Sequence, residues 1–116
     1  MTHIRVDIHL PLKFNPEESG KEISQEIFFQ TYEELLKLAG GISTNNNPLN
    51  GSWINPLSNV RYDDKTITFT IVVESEDRMT INQIPKIREL INYKNTLKGR
   101  FKQHEIFIVA TRCTRL

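Results

Sequence analysis

The sequence predicts a two-layer α+β domain, in which two helices cover one face of an antiparallel sheet. Strand-like segments, in which apolar and polar residues alternate, and helix-like segments follow one another in the order βαββαβ along the 116 residues. Two of the strand-like segments concentrate their apolar residues on one face, as expected of a sheet that is covered on one side. The length is that of a single domain, 1–116.

Composition and charge narrow the range of protein classes to which the chain could belong. The chain is 38% hydrophobic and 25% charged, with a net charge of +1, which is ordinary for a globular protein and too balanced for a nonspecific polyanion binder. Cys113 is the only cysteine, so an internal disulfide is excluded. No signal peptide or membrane-spanning segment is expected, and a cytoplasmic location is the default.

The first strand is predicted over residues 3–14. Apolar side chains alternate there with polar ones, and Pro11 should end the regular pairing because proline has no amide hydrogen to donate. The apolar positions of this strand are Ile4, Val6, Ile8, Leu10, Leu12 and Phe14. Residues 15–22 are polar and are predicted to form a loop.

The first helix is predicted over residues 24–39. Ser24 is a favourable N-cap, and Ile23 and Phe28 have the spacing of a hydrophobic staple around it. The apolar face of this helix contains Phe28, Thr31, Tyr32, Leu35, Leu38 and Ala39. Gly40 and Gly41 should end the helix, since glycine readily adopts the left-handed conformation found at helix C-termini.

A short strand at 42–44 leads into the most irregular stretch, residues 45–64. Three consecutive asparagines, the Asn50-Gly51 pair and Pro56 all favour turns. About twenty residues without regular structure is unusual for a compact domain, and such stretches are often functional or contain short strands. We therefore expect a long loop or an extra hairpin at 45–64.

The clearest strand covers residues 66–74, with Ile67, Phe69, Ile71 and Val73 on one face. After a loop at 75–82, a second helix is expected with Asn82 as its cap and Pro85 in its first turn. Thr80 and Gln83 form a competing capping box. Lysines within the apolar stripe of this second helix, and Gly99 near its C-terminus, predict that the C-terminal end of the helix is weak or bent. The last strand is predicted at 105–111.

Two interleaved right-handed βαβ units in one sheet give the ferredoxin-like fold. The first and third strands should be central, with Ile4 to Leu10 meeting Ile67 to Val73 beneath the helices. The opposite face of the sheet should display a mixed set of side chains, namely Arg5, Asp7, His9, Thr68, Thr70, Phe107 and Val109.

Several short segments, in a fixed order, carry a resemblance to a known group of proteins. They are Gly40-Gly41-Ile42-Ser43-Thr44, Gly51-Ser52-Trp53, Tyr62-Asp63-Asp64 and Phe101-Lys102-Gln103-His104-Glu105-Ile106. From about residue 24 onward the chain resembles small uncharacterised bacterial proteins with a ferredoxin-like fold. The resemblance implies that fold and implies no reaction.

Candidate binding residues lie in the irregular stretch and before the last strand. They are Trp53, Tyr62, Asp63, Asp64, His104 and Glu105. Trp53 could form the wall of a binding site or anchor a long loop on the core. The two aspartates could bind Mg²⁺ or serve as acid and base, although Asp-Asp before a strand is also typical of a turn.

The candidate interface lies on the mixed sheet face. Its members are Arg5, Asp7, His9, Phe107 and Val109. Asp7 and His9 share this face about 7 Å apart, close enough for a carboxylate to orient an imidazole, but no serine or cysteine is placed near them by sequence. Three scattered histidines and one cysteine lack the spacing of a metal site, so we expect no metal or cofactor and assign no catalytic residue.

Three functions remain open. The favoured one is a non-enzymatic interaction module that forms a homodimer or binds a protein partner through its open sheet face. The alternative is a small enzyme or ligand-binding domain with a pocket at the 45–64 stretch. The second alternative is nucleic-acid binding by the basic second helix, which is weakened because its basic residues scatter around the helix axis.

Overall fold

The computed structural model describes residues 1–76 and 79–116. Residues 77 and 78, within the loop predicted at 75–82, lie outside the described residues. The elements are β1 (Thr2–Pro11), α1 (Gln25–Ala39), β2 (Ser43–Ile54), β3 (Arg61–Ser75), a 3₁₀ turn (Ile81–Gln83), α2 (Pro85–Arg100) and β4 (Phe107–Cys113).

The four described strands form one sheet in the order β2-β3-β1-β4, with every neighbouring pair antiparallel. β1 and β3 are therefore the central strands, as predicted, and the ferredoxin-like βαββαβ fold is confirmed. Ile8 lies opposite Phe69 on one side and Ile108 on the other. Because facing residues in a ladder share a face, this register places every predicted inward residue of β1 and β3 on the same side.

The hydrophobic core lies between that face and the two helices. Ile4, Ile8 and Leu10 of β1 are fully buried, as are Leu35 of α1 and Leu97 of α2. Phe101, which follows α2, is also fully buried and meets Phe28 of α1 edge to face at 5.3 Å between ring centroids. The opposite face of the sheet, with the odd-numbered residues of β1 and the even-numbered residues of β3, is referred to below as the open face.

The helix ends agree in part with the prediction. α1 begins after Ser24, although the Ser24 side chain makes no capping hydrogen bond, and it ends at Gly40 with φ +80°. Asn82 does not cap α2, which corrects the prediction. Asn82 lies within the 3₁₀ turn, and Ile84 occupies the cap position before Pro85. Burial of Ile84 in the core favours this later start.

The irregular stretch forms a hairpin, the second of the two predicted alternatives. β2 runs to Ile54 and β3 already begins at Arg61, so only residues 55–60 connect them. A bulge between Asn45 and Leu49 accommodates Pro48, which cannot donate to a ladder. Trp53 therefore lies in a strand, and the earlier start of β3 corrects the predicted strand at 66–74.

Candidate functional site

Four aromatic side chains from distant parts of the chain meet at one end of the open face. Trp53 stacks on Tyr62 with 5.2 Å between ring centroids, and Phe107 meets Trp53 edge to face at 6.4 Å. The His104 ring lies 5.7 Å from Tyr62. We call Trp53, Tyr62, His104 and Phe107 the aromatic cluster. Three of the six predicted binding residues and one predicted interface residue thus come together.

The extended hairpin is what brings this cluster together. Trp53 of β2 lies opposite Tyr62 of β3, so both side chains emerge on the same face. The ladder between β1 and β3 stops where Pro11 faces Thr66, and the hairpin continues beyond it. Its twisted end carries Trp53 past the end of β1 to Phe107 of β4.

Glu17, in the loop before α1, links two members of the aromatic cluster. Its Oε1 accepts hydrogen bonds from the Tyr62 hydroxyl at 2.8 Å and from His104 Nε2 at 2.9 Å. Its own backbone amide, then Tyr62 and His104, lower the pKa of Glu17, whereas the bond to Glu17 raises the pKa of Tyr62. Sequence reasoning missed Glu17, since nothing distinguishes it from other polar residues of its loop.

The three remaining predicted binding residues, Asp63, Asp64 and Glu105, do not belong to the aromatic cluster. Asp63 accepts hydrogen bonds from Ser52 at 2.6 Å and Arg61 at 2.9 Å, and these bonds lower its pKa. Burial, followed by repulsion from Asp63, raises the pKa of Asp64. Consecutive residues of a strand point to opposite faces, so the two aspartates do not form one carboxylate pair.

Glu105 forms an ion pair with Lys94 of α2 at 2.6 Å, on the helix side of the molecule. Burial raises the pKa of Glu105, but hydrogen bonds from Lys94 and from the amide of Ile106 outweigh burial and lower it overall. The carboxylate is therefore engaged by a structural partner. The structure does not bring Glu105 together with the other candidates.

The centre of the open face is a cross-strand polar network. Asp7 accepts hydrogen bonds from Thr70 at 2.7 Å and from Arg5 at 3.2 Å. His9 Nδ1 is 3.1 Å from the hydroxyl of Thr68. Asp7 and His9 thus each pair with a threonine of β3, and the carboxylate does not orient the imidazole.

Apolar side chains flank this network. On the β4 side, Phe107 is 49% and Val109 is 51% exposed, and on β3 Val72 is 39% exposed. Phe107 faces His9 and Val109 faces Asp7 in the ladder, so the predicted interface residues share one surface.

Two adjoining cavities open on the helix side, between α1 and the hairpin. The first has a volume of about 620 Å³ and is lined mainly by aromatic and aliphatic side chains, among them Phe28, Phe29 and Tyr32. The second has about 660 Å³ and a charged lining that includes Asp63 and Asp64. Both are lined by Leu12, Gln25 and Phe28, so the two cavities are neighbours.

The basic residues of α2 are partly engaged within the protein. Lys94 pairs with Glu105, and Arg100 pairs with Glu34 at 2.9 Å. Within residues 1–76 and 79–116 no helix is long and apolar enough to cross a membrane. Over the same described residues, no three histidine, cysteine, aspartate or glutamate side chains form a group that could hold a metal ion.

Comparison with known proteins gives the fold. The chain is similar to a phage SAM lyase solved in complex with S-methyl-5′-thioadenosine, with 14% identity, a TM-score of 0.60 and coverage of 97% of this chain and 90% of the other. It is also similar to B. subtilis GlnK in complex with ATP, with 13% identity, a TM-score of 0.51 and coverage of 97% and 82%. No family model and no curated protein sequence matches the chain. At these identities, the likeness supports the two-layer α+β fold alone.

Proposed function

We propose that this chain is a cytoplasmic, non-enzymatic interaction module that self-associates through its open face. The observation that carries the proposal is the half-exposed state of Phe107, Val109 and Val72 on a face opposite to both described helices. Exposed apolar side chains grouped on one surface are typical of contact sites. A second copy of the chain is the proposed partner.

The size of the face is sufficient for such a contact. The molecule measures 44 × 30 × 22 Å along its principal axes. The broadest projection of the molecule, bounded by its 44 and 30 Å extents, exceeds the roughly 800 Å² that each partner buries in a stable interface of standard size. Phe107 and Trp53, at one end of the face, supply the aromatic anchors that dominate the energy of many interfaces.

The polar centre of the face is compatible with burial. Burying a polar group is costly mainly when its hydrogen bonds are lost. Asp7 already accepts bonds from Thr70 and Arg5, and His9 is paired with Thr68. These groups keep their partners when a second copy excludes water, and the charges of Arg5 and Asp7 remain paired, which limits the cost of desolvation.

Light scattering coupled to size exclusion, over a range of protein concentrations, tests this proposal. The wild type is expected to form a dimer or a larger closed assembly, and Phe107→Ser should weaken association tenfold or more, which is about 1.4 kcal/mol. Ile91→Ser is the matched control because Ile91 is 51% exposed on α2, on the other side of the molecule. A wild-type protein that remains monomeric near 1 mM, about the weakest range of specific association, would contradict the proposal.

Small-ligand binding is a second candidate function. It is favoured by the aromatic-lined cavity between α1 and β2, which Asn46 of the 45–64 stretch lines and the six candidate binding residues do not. The two similar structures hold S-methyl-5′-thioadenosine and ATP, which share the adenine base and its ribose. An adenosine-containing ligand is therefore the first class to test. Calorimetric titration with adenosine and with ATP tests this class of ligand. If neither binds with a dissociation constant near 1 mM, a weak affinity of about 4 kcal/mol, this class of ligand is excluded.

A further inference from the structure

The cavity beside α1 combines an apolar floor with an exposed aromatic ring. Phe69 and Tyr32 meet edge to face at 6.0 Å between ring centroids, and Ile67 extends this surface along β3. Phe29, one turn before Tyr32 in α1, lines the same cavity and is 66% exposed. A phenylalanine this exposed offers a flat face on which a second ring could stack.

Polar side chains at the rim of the cavity could form hydrogen bonds with the edge of a bound ring. Gln25 of α1 and Thr44 and Asn46 of β2 line the same cavity. Among the hydrogen bonds of the described chain, none involves the side chain of any of these three residues. Amide and hydroxyl groups supply both donors and acceptors, so they can satisfy the mixed edge of a nucleobase.

We propose that this cavity binds a planar heteroaromatic ring of the nucleobase type, stacked against Phe29 with its polar edge toward Gln25 and Asn46. The inference rests on ligand binding, the second candidate function, and gives it a site. The volume of about 620 Å³ is in the range of small-molecule sites, and an apolar lining with a few polar groups is their usual composition.

The charge of the adjoining cavity indicates whether the bound ligand carries phosphate groups. Its charged lining consists of Lys13, Lys65, Glu22, Asp63 and Asp64, with one more acidic than basic group. Such a lining does not favour a polyanion, since phosphate sites are built from excess positive charge or backbone amides. An uncharged nucleoside should therefore bind better than its triphosphate.

Calorimetric titration of the full chain with adenosine and with ATP tests the site. Adenosine is expected to bind, and ATP to bind more weakly. Phe29→Ser should weaken adenosine binding about 5- to 150-fold, the equivalent of one lost stacking contact of about 1–3 kcal/mol. Asn46→Ala should weaken it without changing the thermal stability, and Ile91→Ser on α2 should leave it unchanged.

The outcomes separate the site from the function. If adenosine binds equally well to Phe29→Ser and wild type but is lost in Trp53→Ala, the ligand occupies the aromatic cluster and the inferred cavity is wrong. If ATP binds more tightly than adenosine, the assignment of an uncharged ligand is overturned. If neither adenosine nor ATP binds, both the inferred cavity and the second candidate function fail, while self-association is unaffected.

Discussion

Arg100 of α2 holds Glu34 of α1 across the helix layer. One terminal nitrogen of its guanidinium donates to both carboxylate oxygens, at 2.9 and 3.1 Å, and the other donates to the hydroxyls of Thr31 and Tyr93 at 2.9 and 3.2 Å. Thr31 is fully buried and the Arg100 side chain is only 13% exposed. A single cation thus satisfies three polar groups where the two helices meet.

Replacing this cation should be costly. In Arg100→Ala, Thr31 and Tyr93 lose a donor and Glu34 loses its counterion, so we expect a loss of about 2–3 kcal/mol in the free energy of unfolding. The partial exposure of Glu34 keeps the effect at the lower end of the range for buried pairs. Urea unfolding measures it. The matched control is Arg88→Ala, an exposed arginine of α2 that should change stability by less than about 0.5 kcal/mol. Equal losses in both variants would contradict this role.

The same contact predicts an alkaline transition. Burial, with a contribution from the bond to Glu34, raises the pKa of Tyr93 from 10.0 to about 12. Because the pKa is higher in the folded state, the stabilisation is fully present below pH 10 and is lost as the pH rises through about 12. Absorbance titration of tyrosinate should show one group ionising near pH 12, and Tyr93→Phe should remove that step. A titration curve unchanged by Tyr93→Phe would show the assignment to be wrong.

The bond between Tyr62 and Glu17 should hold the end of the hairpin in place. In Tyr62→Phe the ring still stacks on Trp53 but the donor to Glu17 is lost. Hydrogen exchange is expected to become severalfold faster in the amides of residues 61–65 and to remain unchanged in the central part of β1. Tyr32→Phe is the control, because no hydrogen bond of the Tyr32 hydroxyl occurs within residues 1–76 and 79–116. Unchanged exchange at 61–65 would mean that stacking alone anchors the hairpin.

Two adjacent glycines should respond differently to alanine. Gly40 ends α1 with φ +80° and donates its amide hydrogen to Leu36 at 2.8 Å, whereas Gly41 has no positive φ. Gly40→Ala should lower the unfolding free energy by about 1–2 kcal/mol, the cost of a left-handed conformation for a residue with a Cβ. Gly41→Ala should be neutral or slightly stabilising, because nothing lies within 4 Å of an added Cβ. Thermal unfolding compares the two, and equal effects would count against the left-handed cap.

Local patterns were sufficient for the regular parts of the fold. The alternation from Ile4 to Leu10 predicted both the strand and its buried face, and Gly40 marked the end of α1. Turn-forming residues were misleading at the hairpin. Asn50 and Gly51 favour a turn, yet pairing with residues 61–66 makes a strand of residues 49–54, whereas Pro56 does lie in the turn that connects the two strands. Cross-strand hydrogen bonds there outweigh local preference.

The alternation of apolar and polar residues along the sequence determined which residues of the strands face the core and which lie on the open face. The reason is that successive side chains of a strand point to its two faces in turn. Only the tertiary structure decided which of the outward residues meet. Glu17, Tyr62 and His104 are joined through contacts 45 and 87 residues apart in sequence, and Arg100 reaches Glu34 across 66 residues. Such contacts depend on how the hairpin twists and how the helices pack, and these are properties of the whole sheet rather than of any local segment.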